Sequence, residues 1–222
     1  MNDSGLKLFL RYSRGCRMYL EDKGMLDRSD RKALDSGSPS YEVLRKVFNV
    51  AIPSLEKTAK RMSRDVFDPE VLREFYSGEH NERKFREGEL ACLAFPAKVA
   101  KVDKGRVMLN LEPVTGEFWA ASDKNLDVGD WVTVHRLIVV EKIPQDFAIK
   151  MAARLEALGL NKAYKFPKAA IKYLERLNAG CEGCGGHGKE DFAHKVEGGG
   201  EAGGPEERQE NSSVAGKGEA NA

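Results

Sequence analysis

The spacing of apolar residues changes at Gly88, and a chain with two spacings in succession has to join a helical part to a strand-built part. Before the change, Leu6, Phe9, Leu10 and Met18 recur at helical intervals, and this first stripe stops near Gly24. Residues 27–40 are polar and turn-rich. Tyr41, Leu44, Val47, Phe48 and Ile52 then form a second stripe, which Pro53 should end or kink. Two further stripes run through Leu55, Ala59 and Met62 and through Val71, Leu72, Phe75 and Tyr76. The last begins behind Asp68 as cap, with Pro69 at the first helical position. Residues 1–88 therefore read as a four-helix unit.

After Gly88 the runs Ala91 to Val102, Val107 to Leu111, Phe118 to Ala121 and Trp131 to Ile143 are β-rich. Turn clusters such as Asp103-Lys104-Gly105 and Asp127-Val128-Gly129-Asp130 separate them. So small an open sheet would leave unpaired edges, which favours a closed barrel. Helical spacing resumes behind Pro144 at Phe147, Ile149, Met151, Ala152 and Leu155, so residues 89–160 read as a barrel with a C-terminal helix. Ile171, Leu174 and Leu177 place an additional amphipathic helix in 161–180. Beyond Asn178 lie 12 of the chain's 22 glycines and almost no large apolar side chain, which makes 181–222 a flexible tail, disordered over 189–222. The expected fold class is α+β: an N-terminal helical bundle, a small OB-like β-barrel, C-terminal helices and a disordered tail.

Composition removes several classes of function. The net charge is +1 overall, +3 over 1–88 and −1 over 89–160, so no segment is a strong binder of polyanions. Opening residues Asn2, Asp3 and Ser4 are polar, and the apolar run Leu137 to Val140 is far too short to cross a bilayer. A cytoplasmic location and no membrane partner are expected. Four cysteines (Cys16, Cys92, Cys181, Cys184) are too scattered for a disulfide framework and suit reduced thiols or metal ligands. Phosphate loop, nucleophile elbow and paired carboxylates are all missing, so catalysis is not expected.

Two strings carry the chemistry. Cys92-Leu93-Ala94-Phe95-Pro96-Ala97-Lys98-Val99 opens the first strand, and Val128-Gly129-Asp130-Trp131-Val132-Thr133-Val134-His135 follows about forty residues later. In that order and at that separation they resemble the HypC/HupF hydrogenase assembly chaperones, over residues 91–158. The resemblance implies an OB-like barrel that partners a HypD-like scaffold protein while Fe(CN)2CO is assembled. It also implies delivery of that iron to the [NiFe]-hydrogenase large-subunit precursor. Cys92 matches the family's essential cysteine, His135 its strand histidine, and Pro96 stands in the same motif. A soft thiolate with a compatible imidazole suits low-potential iron. Alternation puts Val132 and Val134 on a core face and Trp131, Thr133 and His135 on the other, which places His135 on a more polar face or in a groove within reach of a ligand.

The chain departs from the family twice. A whole helical unit precedes Cys92, where the family begins Met-Cys, so no terminal amine stands beside this thiol. Arg136-Leu137-Ile138 follows His135, where the family has a small residue and Phe-Ala.

Other features carry weaker readings. Cys181, Cys184 and His187, with His194 beyond, form a C-x2-C-x2-H run able to bind zinc, nickel or iron. Cys16 reads as a structural thiol on the first helix, and His80 as a surface residue near a helix end. The alternative function is an OB-type single-stranded nucleic-acid binder stacking bases on Phe95, Phe118, Trp119 and Trp131. Net charge of −1 over 89–160 weighs against it, because a phosphate-tracking groove needs clustered cations.

Overall fold

In the computed structural model, residues 3–103, 106–122, 125–162 and 172 are described. The helix expected through Ile171, Leu174 and Leu177 and the tail site of Cys181, Cys184, His187 and His194 lie outside them. Ahead of Gly88 the described residues form six α-helices, where the stripes predict four. α1 (Asp3–Asp22) buries Leu6, Phe9 and Tyr12 along one face. α2 (Arg28–Asp35) occupies the stretch read as turn-rich. The Asp27 carboxylate caps it by accepting from the Asp30 N–H at 2.8 Å, and its one large apolar residue, Leu34, is buried. α3 (Tyr41–Val47) starts at the cap Ser40.

Pro53 neither ends nor kinks a helix. It sits in the first turn of α4 (Ala51–Met62), where a missing N–H costs nothing because those groups have no intrahelical acceptor. α5 (Pro69–Phe75) begins as expected behind Asp68, whose side chain accepts from Glu70 N at 2.8 Å. A single π-helical turn, Tyr76–His80, then leads into α6 (Asn81–Arg86).

A 3₁₀ turn, Leu90–Cys92, hands the chain to β1 (Ala94–Asp103), β2 (Arg106–Leu111) and β3 (Glu117–Ala121). The run expected as one strand from Trp131 is two, β4 (Trp131–His135) and β5 (Ile138–Lys142). Arg136 and Leu137 at φ +52° and +59° make the two-residue hairpin turn whose twist matches the flanking strands. The sheet order is β1-β2-β3-β5-β4, with β1 also paired to β4. Four of the strand pairings are antiparallel; β3 meets β5 through the single parallel pair Ala121↔Ile138. α7 (Gln145–Ala157) buries Ala148, Met151 and Leu155 but leaves Ile149, expected on its apolar face, exposed.

Two apolar cores result. One lies on the inner face of the sheet and gathers Phe95, Ala97, Val99, Leu109, Phe118, Val132 and Val134. The other joins the helices to the outer face of the sheet through Ala94, Val140 and Ile143. Helices and strands thus share one core within the unit Met1–Gly188. Phe95 and Phe118 are buried in the inner core, so neither is placed to stack a base. No helix among the described residues is long and apolar enough to cross a membrane.

Candidate metal centre

The outer face of β4 carries the polar residues that alternation predicts, but in a covered seam rather than on an open surface. Thr133 and His135 are 0% and 1% exposed, because the helices cover that face. Burial of polar groups requires partners, and the seam between helices and sheet supplies them. Glu141 of β5 accepts from the Tyr12 hydroxyl at 3.0 Å and from Arg73, whose Nη2 lies 2.6 Å away. The Asn81 side chain replaces a strand neighbour for Ala94. Its amide donates to the Ala94 carbonyl, and its oxygen accepts from the Ala94 N–H, both at 2.8 Å.

His135 stands directly across the β1–β4 ladder from Ala94. Its Nδ1 faces the Tyr12 carbonyl of α1 at 2.5 Å, which fixes the ring beside Cys92. Nε2 lies 3.5 Å from Cys92 Sγ and 2.8 Å from the Cys92 carbonyl oxygen. The two residues singled out by the motif are therefore brought together. Pro96 is not part of this group; it is buried in β1 opposite Thr133.

Two residues read as structural join the pair. Cys16 on α1 places Sγ 3.9 Å from Cys92 Sγ. His80, at the end of the π turn, is 3% exposed rather than a surface residue, and its Nε2 lies 4.0 Å from the same sulfur. Donor atoms of Cys16, Cys92 and His135 all fall within 4.8 Å of one another, a spacing that suits one metal ion. The Tyr76 ring touches both imidazoles, with centroids 5.0 Å from His80 and 5.6 Å from His135.

Cys92 is 2% exposed, so its sulfur is not at an open mouth of the sheet. A half-open pocket of about 260 Å³ reaches it instead from the helical side, between α1, the α3–α4 connection and α6. Cys16, His80, Cys92 and Arg136 line the inner part of that pocket, with Arg83 and Lys84 on its α6 side. Arg136 packs so tightly on α1 that a Cβ at Gly15 would lie 2.6 Å from its own Cβ, which explains a glycine within that helix.

The thiol acidities diverge for a physical reason. Cys92 is held well below the ordinary thiol range, first by a hydrogen bond from Cys16 and then by His135 and His80, against the opposing effect of burial. Cys16 is pushed up, chiefly by giving that hydrogen bond and by its own burial. Burial pushes His80 down and keeps its imidazole neutral. Two thiols that share a proton unequally, Cys92 the readier to lose it, and the imidazoles of His80 and His135 form a donor set that a borderline-soft cation can enter by releasing thiol protons.

Both missed residues carried a periodic signal. Cys16 continues the α1 stripe Phe9, Tyr12, Cys16, and His80 continues Leu72, Tyr76, His80 at steps of four. Compared with family models, with curated proteins and with solved structures, the chain matches none.

Proposed function

We propose that this chain is a carrier and adaptor in [NiFe]-hydrogenase maturation, of the HypC/HupF kind. It takes the iron of the Fe(CN)2CO complex through Cys92, with His135 beside it, while bound to a HypD-like scaffold. It then passes the iron to the large-subunit precursor in the cytoplasm. In this reading the five strands are a closed OB-like barrel, and the helices ahead of it restrict which partner can dock. The observation that carries the proposal is the meeting of the two motif strings. Cys92 from the first and His135 from the second lie 3.5 Å apart, and the neighbours of Cys92 favour the charged, reactive form of its sulfur.

The buried position of Cys92 alters how delivery would run. Its flanking chain is a 3₁₀ turn beneath α6 rather than a free end, so iron exchanges through the pocket on the helical side. Exchange of a thiolate-held iron for cysteines of the receiving protein is ordinary ligand substitution. It needs an approach for the incoming sulfur, which the pocket offers.

Co-purification tests the proposal. The tagged chain is expected to capture a HypD-like scaffold and the large-subunit precursor from anaerobic co-expression, with cyanide and carbonyl stretching bands in the infrared spectrum. Cys92→Ala is expected to lose those bands and hydrogenase maturation. Unchanged capture, bands and maturation in that variant would remove Cys92 from the role.

A further inference from the structure

We infer that Cys16, His80, Cys92 and His135 together make a four-donor site for one divalent transition-metal ion, so that the isolated chain grips metal with ligands from its own helices. The inference extends the carrier reading to the ligand set and shares Cys92 and His135 with it. Cys16 and His80 come from segments outside the motif strings, and they give the N-terminal helices a chemical task.

Distances decide between a metal site and a chance gathering of buried polar groups. With metal–sulfur bonds of about 2.3 Å and metal–nitrogen bonds of about 2.05 Å, a tetrahedral site spaces its sulfurs about 3.8 Å apart and sulfur from nitrogen about 3.6 Å. The sulfurs here are 3.9 Å apart, and Cys92 Sγ lies 3.5 Å from His135 Nε2. His80 Nε2 is 4.0 Å from Cys92 Sγ but stands outside the three donors that lie within 4.8 Å of one another, so its ring has to swing toward Cys16 and His135 to become the fourth ligand. A lone buried thiol is a weak hydrogen-bonding group, yet Cys92 Sγ has a second thiol and two imidazoles turned toward it.

The outer partners of the two histidines point the same way. Metal-binding imidazoles donate their other ring N–H to a carbonyl or similar acceptor, which fixes tautomer and orientation. His135 Nδ1 is held by the Tyr12 carbonyl, while its Nε2, 3.5 Å from Cys92 Sγ, also contacts the Cys92 carbonyl and gives up that contact on taking a metal. His80 Nδ1 lies 3.4 Å from Asn81 Oδ1, with its Nε2 facing Cys92. Asn81 is itself immobilised by its two bonds to Ala94. His80 sits at the end of a π turn, an irregularity found mostly at functional sites. Two thiolates and two neutral imidazoles suit zinc or iron(II) in tetrahedral geometry and do not suit calcium or magnesium, which take oxygen ligands.

Cobalt(II) provides the test, because its visible bands report tetrahedral geometry and its near-ultraviolet charge-transfer bands report bound thiolate. The probe is titrated anaerobically into the full chain carrying Cys181→Ser and Cys184→Ser, which silences the tail. One cobalt per chain is expected, with tetrahedral bands. Cys16→Ser should lower the charge-transfer intensity to about half, one thiolate of two remaining. His80→Ala should weaken binding about tenfold or more, and His80→Cys should restore tight binding with stronger charge transfer. Circular dichroism of each variant establishes that it is folded. Spectra and affinity unaffected by both Cys16→Ser and His80→Ala in folded protein would overturn the site. So would failure of the folded parent to bind cobalt. If partner capture and maturation persist while cobalt binding fails, the four-donor site falls and the carrier reading stands. Cobalt binding as described, without partner capture, upholds the site and removes the hydrogenase role.

Discussion

The two faces of β4 differ in what they are built to do. Val132 and Val134 point into an inner core of apolar side chains, where nothing but packing is at stake. Thr133 and His135 point the other way, into a seam with the helices that is as dry as the core but lined with Tyr12, His80, Asn81, Cys92 and Glu141. A buried polar seam is costly unless each group is satisfied. Its survival here therefore points to chemistry that an apolar interface would not supply. The inner face holds the sheet together, and the outer face holds reactive groups at fixed distances.

Substitutions on the two faces should separate stability from metal binding. The largest loss of stability is expected on the inner face. Leu109 is fully buried, and Leu109→Ala leaves a cavity costing about 3–4 kcal/mol. Chemical denaturation measures this, and the metal affinity of the folded fraction should not change. Asn81→Ala comes next, at about 2–3 kcal/mol, because it strands the buried N–H and carbonyl of Ala94. Unlike the core truncation, it should also weaken metal binding, since it removes the acceptor facing His80 Nδ1. Equal effects of the two variants on metal affinity would erase the contrast between the faces.

Arg73→Leu is expected to cost about 2 kcal/mol, less than a fully buried pair would lose, because Arg73 is about a third exposed and water can partly solvate the orphaned Glu141. The smallest effect is one of pH. The lowered pKa of Cys92 adds stability as pH rises from the folded value to the ordinary thiol value of about 8.5. The raised pKa of Cys16 removes stability above that value. Under chelation, the stability advantage of the native chain over Cys92→Ser should climb with pH, peak near about 8.5 and then fall. Denaturation curves at a series of pH values would show it, and a flat difference would mean that the sulfurs do not share a proton.

Much of the fold was legible because local signals wrote it. The Asp68-Pro69 start of α5, the stripe of α1 and the alternation of Val132 and Val134 all act over a few residues. α2 escaped notice because it buries a single large apolar residue, Leu34, and its capping residue lay within a polar stretch. The hairpin at Arg136 and Leu137 was hidden because neither residue usually takes positive φ. The covering of the outer sheet face could not be read from β4 at all, since alternation reports which residues share a face and not what that face meets. For the same reason the Cys92 and His135 strings were found by motif, whereas Cys16, 76 residues from Cys92, was visible only as one more member of a helical stripe. Long-range convergence leaves no local trace.

X-ray absorption at the zinc edge tests the central claim most directly, on the full chain loaded with one equivalent of zinc and with Cys181 and Cys184 replaced by serine. Sulfur scattering at about 2.3 Å together with imidazole nitrogen at about 2.0–2.1 Å is expected, and the sulfur signal should fall by about half or more in Cys92→Ala. A first shell of oxygen and nitrogen alone, or a sulfur shell that Cys92→Ala leaves intact, would contradict it.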